Sequence, residues 1–286
     1  MLDVILDTLI DAIKLLPFLF ITYLLMEYIE HKMKDKSKEA IQKSGKFGPF
    51  FGSLLGIFPQ CGFSVSATNL YAGRVITLGT LIAVYLSTSD EMLPIFISEA
   101  VSPIIILKVL AIKLVIGMVA GFIIDFVINS LTKNKQEKNE NIKHVCEEEH
   151  CHCNENGIFK SSIHHTLNIF LYIIIISFII NILVHFIGEE AIANLLLNKP
   201  IIGPLVSALI GLIPNCAASV IITNMYLENV ISFGSMMAGL LTGAGIGLAV
   251  LFKTNNNVKE NLKIVCLLYA IGVIVGISID ALGIII

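Results

Sequence analysis

Gly56-Ile57-Phe58-Pro59-Gln60-Cys61-Gly62-Phe63-Ser64 and Gly211-Leu212-Ile213-Pro214-Asn215-Cys216-Ala217-Ala218-Ser219 are one motif written twice, 155 residues apart. The match runs without a gap from 48–95 onto 203–250. Gly48-Pro49 falls on Gly203-Pro204, Thr68-Asn69 on Thr223-Asn224, Tyr71 on Tyr226 and Gly79 on Gly234. Further on, Leu107-Lys108 falls on Leu262-Lys263, and Gly117, Gly121 and Asp125 fall on Gly272, Gly276 and Asp280. Apolar composition alone does not align Pro, Cys, Asn, Tyr and Asp in one frame. The chain therefore reads as a duplication, with repeats at 1–131 and 161–286 and a polar linker at 132–160.

Working outward from the motif, the surroundings are membrane-like. Of 286 residues, 14% are charged and 56% hydrophobic, and the mean hydropathy is +0.85. A soluble domain carries about 25% charged residues, so this chain lacks the polar surface to coat a globule. Runs such as Ile173–Ile180 and Val265–Ile279 are nearly free of charge. Stretches of about 20 apolar residues read as spanning helices, and the alternation of a barrel is absent. Residues 1–30 begin with Asp3, Asp7 and Asp11 rather than a basic segment, and are expected to be a retained span. Candidate spans in the first repeat are 4–29, 47–72, 75–89, 91–105 and 106–131. The two short ones are expected to be tilted or to be limbs of a re-entrant hairpin. The fold class is thus an all-α polytopic membrane protein of two repeats, each with about five hydrophobic segments, some broken or re-entrant.

Lysines orient the repeats. The loop 31–46 carries Lys32, Lys34, Lys36, Lys38, Lys43 and Lys46, whereas its counterpart 188–201 carries Lys199 beside Glu189 and Glu190. The linker and the loop 253–263 are also lysine-rich, and 98–103 is not. The linker is therefore expected in the cytoplasm with both termini outside, which makes the repeats inverted. Arg74, Lys108 and Lys113 fit this pattern less well.

Inverted repeats with Gly/Pro-interrupted segments at matching positions point to a transporter with a site near the membrane midplane. Exposed backbone is tolerated there only where it is buried in protein or lines a cavity. The first break is Pro59-Gln60-Cys61, mirrored by Pro214-Asn215-Cys216. Proline removes a backbone donor and clashes with the preceding turn. Ser64, Thr68 and Asn69 follow, mirrored by Ser219, Thr223 and Asn224; Ser64 and Thr68 share a helical face. The plain alternative is a proline kink whose hydroxyls bond back to their own helix. The second break is Ser87-Thr88-Ser89-Asp90-Glu91, mirrored by the uncharged Thr242-Gly243-Ala244-Gly245-Ile246. Carboxylates at membrane depth are functional hypotheses by default, and their oxygens suit a hard or borderline divalent cation. Helix capping in a solvated loop is the alternative reading of Asp90 and Glu91.

In the linker, His144, Cys146, His150, Cys151, His152 and Cys153 surround three glutamates. These are ligands for zinc and other transition metals. Their spacing matches no fixed zinc finger, so a flexible trap is expected. His164 and His165 adjoin it; Asp125 and Asp280 end matched spans and are candidates for coupling protons or for helix-end placement. No phosphate loop is present, which argues against ATP drive within this chain, and no hydrolase or metalloprotease motif marks an enzyme.

At Gly56–Ser64, Leu86–Glu91 and Gly211–Cys216 the chain resembles a bacterial and archaeal family of ten-span heavy-metal exporters, whose members are labelled arsenic efflux proteins or manganese transporters. The resemblance covers the whole chain and implies efflux of a toxic metal or metalloid through the plasma membrane. The leading expectation is a secondary active exporter of a divalent, manganese-like ion by proton antiport. Asp90, Glu91 and the amides of Gln60, Asn69, Asn215 and Asn224 would hold the ion, with Ser64, Thr68, Ser89, Ser219 and Thr223 lining the path and Cys61 and Cys216 adding softer ligands. One rival is an arsenite permease in which the two cysteines are the principal ligands. Another is a metal-sensing scaffold that moves nothing. The expected partners are the lipid bilayer, a metal or metalloid ion, protons and, as a homodimer, a second copy of the chain. No resident cofactor, enzymatic activity or nucleic-acid binding is expected.

Overall fold

The computed structural model describes residues 13, 16–17, 19–21, 23–24, 47–59, 61–89, 91–132, 162–163, 166–179, 182 and 201–284. All regular structure among them is helical. The first half contains α1 (Gly48–Gly56), α2 (Cys61–Ala72), α3 (Leu78–Ser87), α4 (Met92–Ser98) and α5 (Pro103–Thr132). A helix α6 (Thr166–Ile179) follows. The second half repeats the series as α7 (Ile202–Gly211), α8 (Cys216–Leu227), α9 (Phe233–Thr242), α10 (Gly247–Thr254) and α11 (Val258–Ala281).

Among the described residues, four stretches are long and apolar enough to cross a membrane: Leu78–Ser98, Pro103–Ser130, Phe233–Thr254 and Val258–Ala281. The two short segments expected at 75–89 and 91–105 thus form one apolar stretch of crossing length, interrupted between α3 and α4. On α5, Val115, Val119, Phe122 and Phe126 are exposed along one face, at helical spacing. An apolar helix with such a face has lipid as its natural solvent.

Close glycine contacts fix how the helices run. A Cβ on Gly48 would strike Thr80, and one on Gly56 would strike Ser87 and the Val84 carbonyl. Helix α1 therefore runs parallel to α3, and the two end at the same depth. A helix rises 1.5 Å per residue, so α3 covers many ångströms between Leu78 and Ser87. The chain must regain that distance after Gly56 to begin α3 again at Leu78. Helix α2 does this, so α1 and α2 form an out-and-back hairpin that turns after Gly56. The second half has the same construction. Gly211 lies against Gly239 and Thr242, and Gly239 lies against Ser207, so α7 and α8 form the matching hairpin with its tip at 212–215. The two hairpins thus turn at the two proline motifs.

Helix α5 returns antiparallel to α3. One stripe of it, Val109, Lys113, Gly117 and Gly121, is buried, at the four-residue spacing of one helix face. A Cβ on Gly121 would sit 2.6 Å from the Gly79 carbonyl, and the equivalent on Gly276 2.6 Å from the Gly234 carbonyl. Small residues let the backbones approach this closely. Asp125 and Asp280 end these stripes as braces. Asp125 accepts from the Gly79 amide at 2.9 Å and the Thr77 hydroxyl at 2.7 Å. Asp280 accepts from the Gly234 amide and the Ser232 hydroxyl at the same distances, 2.9 and 2.7 Å. Each carboxylate thus satisfies a first-turn amide of the neighbouring helix, which has no acceptor within its own helix. Arg74 and Asn229, also 155 apart, both turn through the left-handed region at φ 56 and 60.

Candidate functional site

The proline motifs end one limb of each hairpin and begin the next. Ser87, at the end of α3, touches Gly56, so α3 ends beside the turn of the first hairpin. Thr242 donates to the Ala208 carbonyl at 2.8 Å and contacts Gly211, which sets the 243–246 break at the depth of the second tip. Four chain interruptions therefore share one region of the molecule.

The two hairpins meet there. Cys61 Sγ and Cys216 Sγ, the first residues of the return limbs α2 and α8, stand 3.2 Å apart and are half-buried. A disulfide bond would be about 2.05 Å, so the two sulfurs are in contact without being bonded. Beyond them α2 packs along α10. Ser64 is fully buried and a Cβ on Gly247 would lie 3.1 Å from it. Thr68 Oγ1 shares a hydrogen bond with Tyr85 Oη at 2.6 Å, and both hydroxyls reach the Gly247 carbonyl at 3.2 Å. This polar knot joins a hairpin of the first half to a broken helix of the second.

The hydroxyls also behave as the plain alternative expects. Ser64 bonds the Cys61 carbonyl at 2.8 Å, Thr68 the Ser64 carbonyl at 2.7 Å and Thr223 the Ser219 carbonyl at 2.7 Å. Ser89 is buried and donates to the Ser87 carbonyl at 3.0 Å. Asn215 caps α8 through the Ala217 amide at 3.4 Å. Asn69 is buried, receives Tyr23 Oη at 3.4 Å, and leaves its Nδ2 without a hydrogen-bond partner among the described residues. Its counterpart Asn224 is exposed, while Ser219 is half-buried. Glu91 is half-buried at the start of α4 and makes no capping bond.

Gln60, Asp90 and the linker residues His144, Cys146, His150, Cys151, His152 and Cys153 lie outside the described residues, as do His164 and His165. No group of three or more His, Cys, Asp and Glu comes together among the described residues. Two further residues stand near the breaks. Tyr85 completes the polar knot. Lys113, fully buried, donates to the Thr88 carbonyl and, at 2.9 Å, to the Leu240 carbonyl. Its signal in the sequence is a charge on α5 whose repeat counterpart is Leu268.

A largely helical chain with several long apolar helices and interrupted helices at its centre belongs to the class of polytopic α-helical membrane proteins. Residues 1–202 match the family described as "Putative, 10TM heavy-metal exporter", and the chain belongs to that family. No curated protein and no solved structure matches it.

Proposed function

We propose that the chain is a secondary active exporter of a thiol-binding heavy metal or metalloid, with trivalent arsenic as its type substrate. The observation that carries this reading is the 3.2 Å contact between Cys61 and Cys216. Two thiols drawn from opposite halves of a duplicated chain form a soft donor pair, and soft cargo prefers sulfur to oxygen. Arsenite is neutral As(OH)3 near neutral pH. Each thiol gives its proton to a departing hydroxide, so two As–S bonds form and two waters leave with no net charge moved. Reversal of the same exchange releases the cargo.

In this reading the repeats are inverted, and the hairpins α1/α2 and α7/α8 are re-entrant, meeting at the midplane. Each repeat then crosses three times: once near its start, once through its broken helix and once through α5 or α11. An odd number of crossings agrees with the lysine distribution. Rocking of one half against the other would expose the thiols to each side in turn. The cytoplasmic linker would collect metal, and inward movement of protons would drive export.

The test is uptake into proteoliposomes. Arsenite is assayed beside a dye-reported panel of Mn²⁺, Zn²⁺, Co²⁺, Ni²⁺ and Fe²⁺, for wild type, Cys61→Ser/Cys216→Ser and Asp90→Asn/Glu91→Gln. Arsenite flux that disappears in the cysteine variant is the expected result. Divalent flux lost only in the carboxylate variant would replace the thiol reading. No flux of any kind would favour the scaffold.

A further inference from the structure

The buried stripe of α5 and that of α11 match residue for residue: Val109 with Ile264, Gly117 with Gly272, Gly121 with Gly276. The mismatch is Lys113, which stands where the other copy has Leu268, and both are completely buried. Packing alone is therefore satisfied by leucine, and the fold does not demand the charge.

The ammonium occupies a particular place. It donates to the carbonyl of Thr88, which caps α3, and at 2.9 Å to that of Leu240, in the last turn of α9. Helix C-termini carry partial negative charge and unsatisfied carbonyls. Where half-helices end inside a membrane, such carbonyls coordinate coupling cations. Thr88 belongs to the first half and Leu240 to the second, so the ammonium clasps the two halves together.

We infer that the carbonyl ends of α3 and α9 form a cation site filled by the chain's own Lys113, and that this lysine carries the coupling proton. When the site opens to water, one N–H bond breaks and the proton passes to water, leaving a neutral amine. The charge-assisted bonds are lost and the halves separate. Reprotonation from the other side closes the clasp again. Lysine suits this role because it can give up its proton, whereas arginine cannot. Helices α1, α3 and α9 contain no Asp, Glu, His, Lys or Arg. Their titratable side chain is Tyr85, whose hydroxyl is engaged by Thr68 and Gly247. On α5 itself the charged residues are Lys108 and Asp125, and on α11, which packs on α3, they are Lys259, Glu260, Lys263 and Asp280. The acidic residues of the adjoining break are Asp90 and Glu91. The coupling role rests on the transporter reading; the protonation-controlled clasp does not.

The test is hydrogen–deuterium exchange of the metal-free full chain in detergent, from mildly acidic to alkaline pH and corrected for intrinsic exchange. It compares wild type, Lys113→Met and Lys113→Arg. In wild type, opening of 84–89 and 239–246 should rise about tenfold per pH unit above a single transition, the slope of one proton. Lys113→Arg should stay protected at every pH, and Lys113→Met should be open at every pH. A shared profile in all three proteins overturns the proposal. So does opening in Lys113→Met that spreads to 272–280, the sign of a packing defect. If Lys113→Met fails to fold, a wild-type transition unchanged in Lys113→Arg overturns it alone. No cargo is needed, so the outcome is separate from whether arsenite moves.

Discussion

Cys61 and Cys216 occupy the same position in two copies of one motif, and the fold brings their sulfur atoms within 3.2 Å of each other. Equivalent residues of a duplicated chain meet only on or near the axis that relates the copies. Residues on such an axis face both halves at once.

This contact is close enough to be trapped. With Cys146, Cys151 and Cys153 replaced by serine, mild oxidation should join Cys61 to Cys216, and intact mass should show the loss of two hydrogens. The thiols are in contact, so only a small approach is needed to reach bonding distance. The bond should abolish arsenite flux, and reduction should restore it. Unchanged flux after complete cross-linking would remove the thiols from the transport path. The exposed Cys266 serves as the control for non-specific oxidation.

Asp125 and Asp280 are expected to hold the helices rather than carry protons. Asp125→Ala and Asp280→Ala each leave a backbone amide and a hydroxyl without their acceptor. The cost is on the order of 1–3 kcal/mol per unsatisfied buried group. Thermal melting in detergent should fall for both, and by similar amounts, because the two networks have matching distances. Loss of proton coupling in a fully folded Asp125→Asn protein would contradict this assignment.

Gly79 and Gly121 should tolerate no side chain. A Cβ on Gly79 would lie 2.2 Å from the Gly121 carbonyl, and backbone cannot swing aside as a flexible side chain can. Gly121→Ala should cost about 1–3 kcal/mol by overpacking, read as a lower melting temperature. Gly283, at φ 63 with open space around it, should accept the same Cβ with backbone strain as its main cost.

Arg74 reaches Glu260 through two hydrogen bonds of 2.9 and 3.1 Å, and Tyr71 donates to the same carboxylate. The pair ties the end of α2 to the start of α11, across the two halves. The counterparts Asn229 and Ile105 cannot form an ion pair. Arg74 is 40% exposed, so the ion pair should contribute only about 0.2–1 kcal/mol. A double-mutant cycle on Arg74→Ala and Glu260→Ala should show that small coupling. The charge-swapped protein Arg74→Glu/Glu260→Arg should recover part of it.

Much of this was legible in the chain before any folding. The duplication, the helical class, the proline breaks and the matched glycines are properties of local spacing and composition, and apolar runs of crossing length admit little but helix. The plain reading of Thr68 and Thr223 was also local, since a hydroxyl bonds back to its own preceding turn. The pairing of the segments was not legible. That α1 and α2 fold back on each other depends on α1 lying parallel to α3 through Gly48 and Gly56, a contact between separate elements.

The sequence by itself determined that two copies exist and which residues correspond. Only the tertiary structure decided which correspondents meet and which part. Cys61 finds Cys216, whereas Asn69 is buried and Asn224 exposed. Lys113 replaces a leucine and bonds both halves. Spacing along a helix sets which residues share a face. Which face lies on the shared axis is set by how the two copies pack, and that packing is a long-range contact no local pattern encodes.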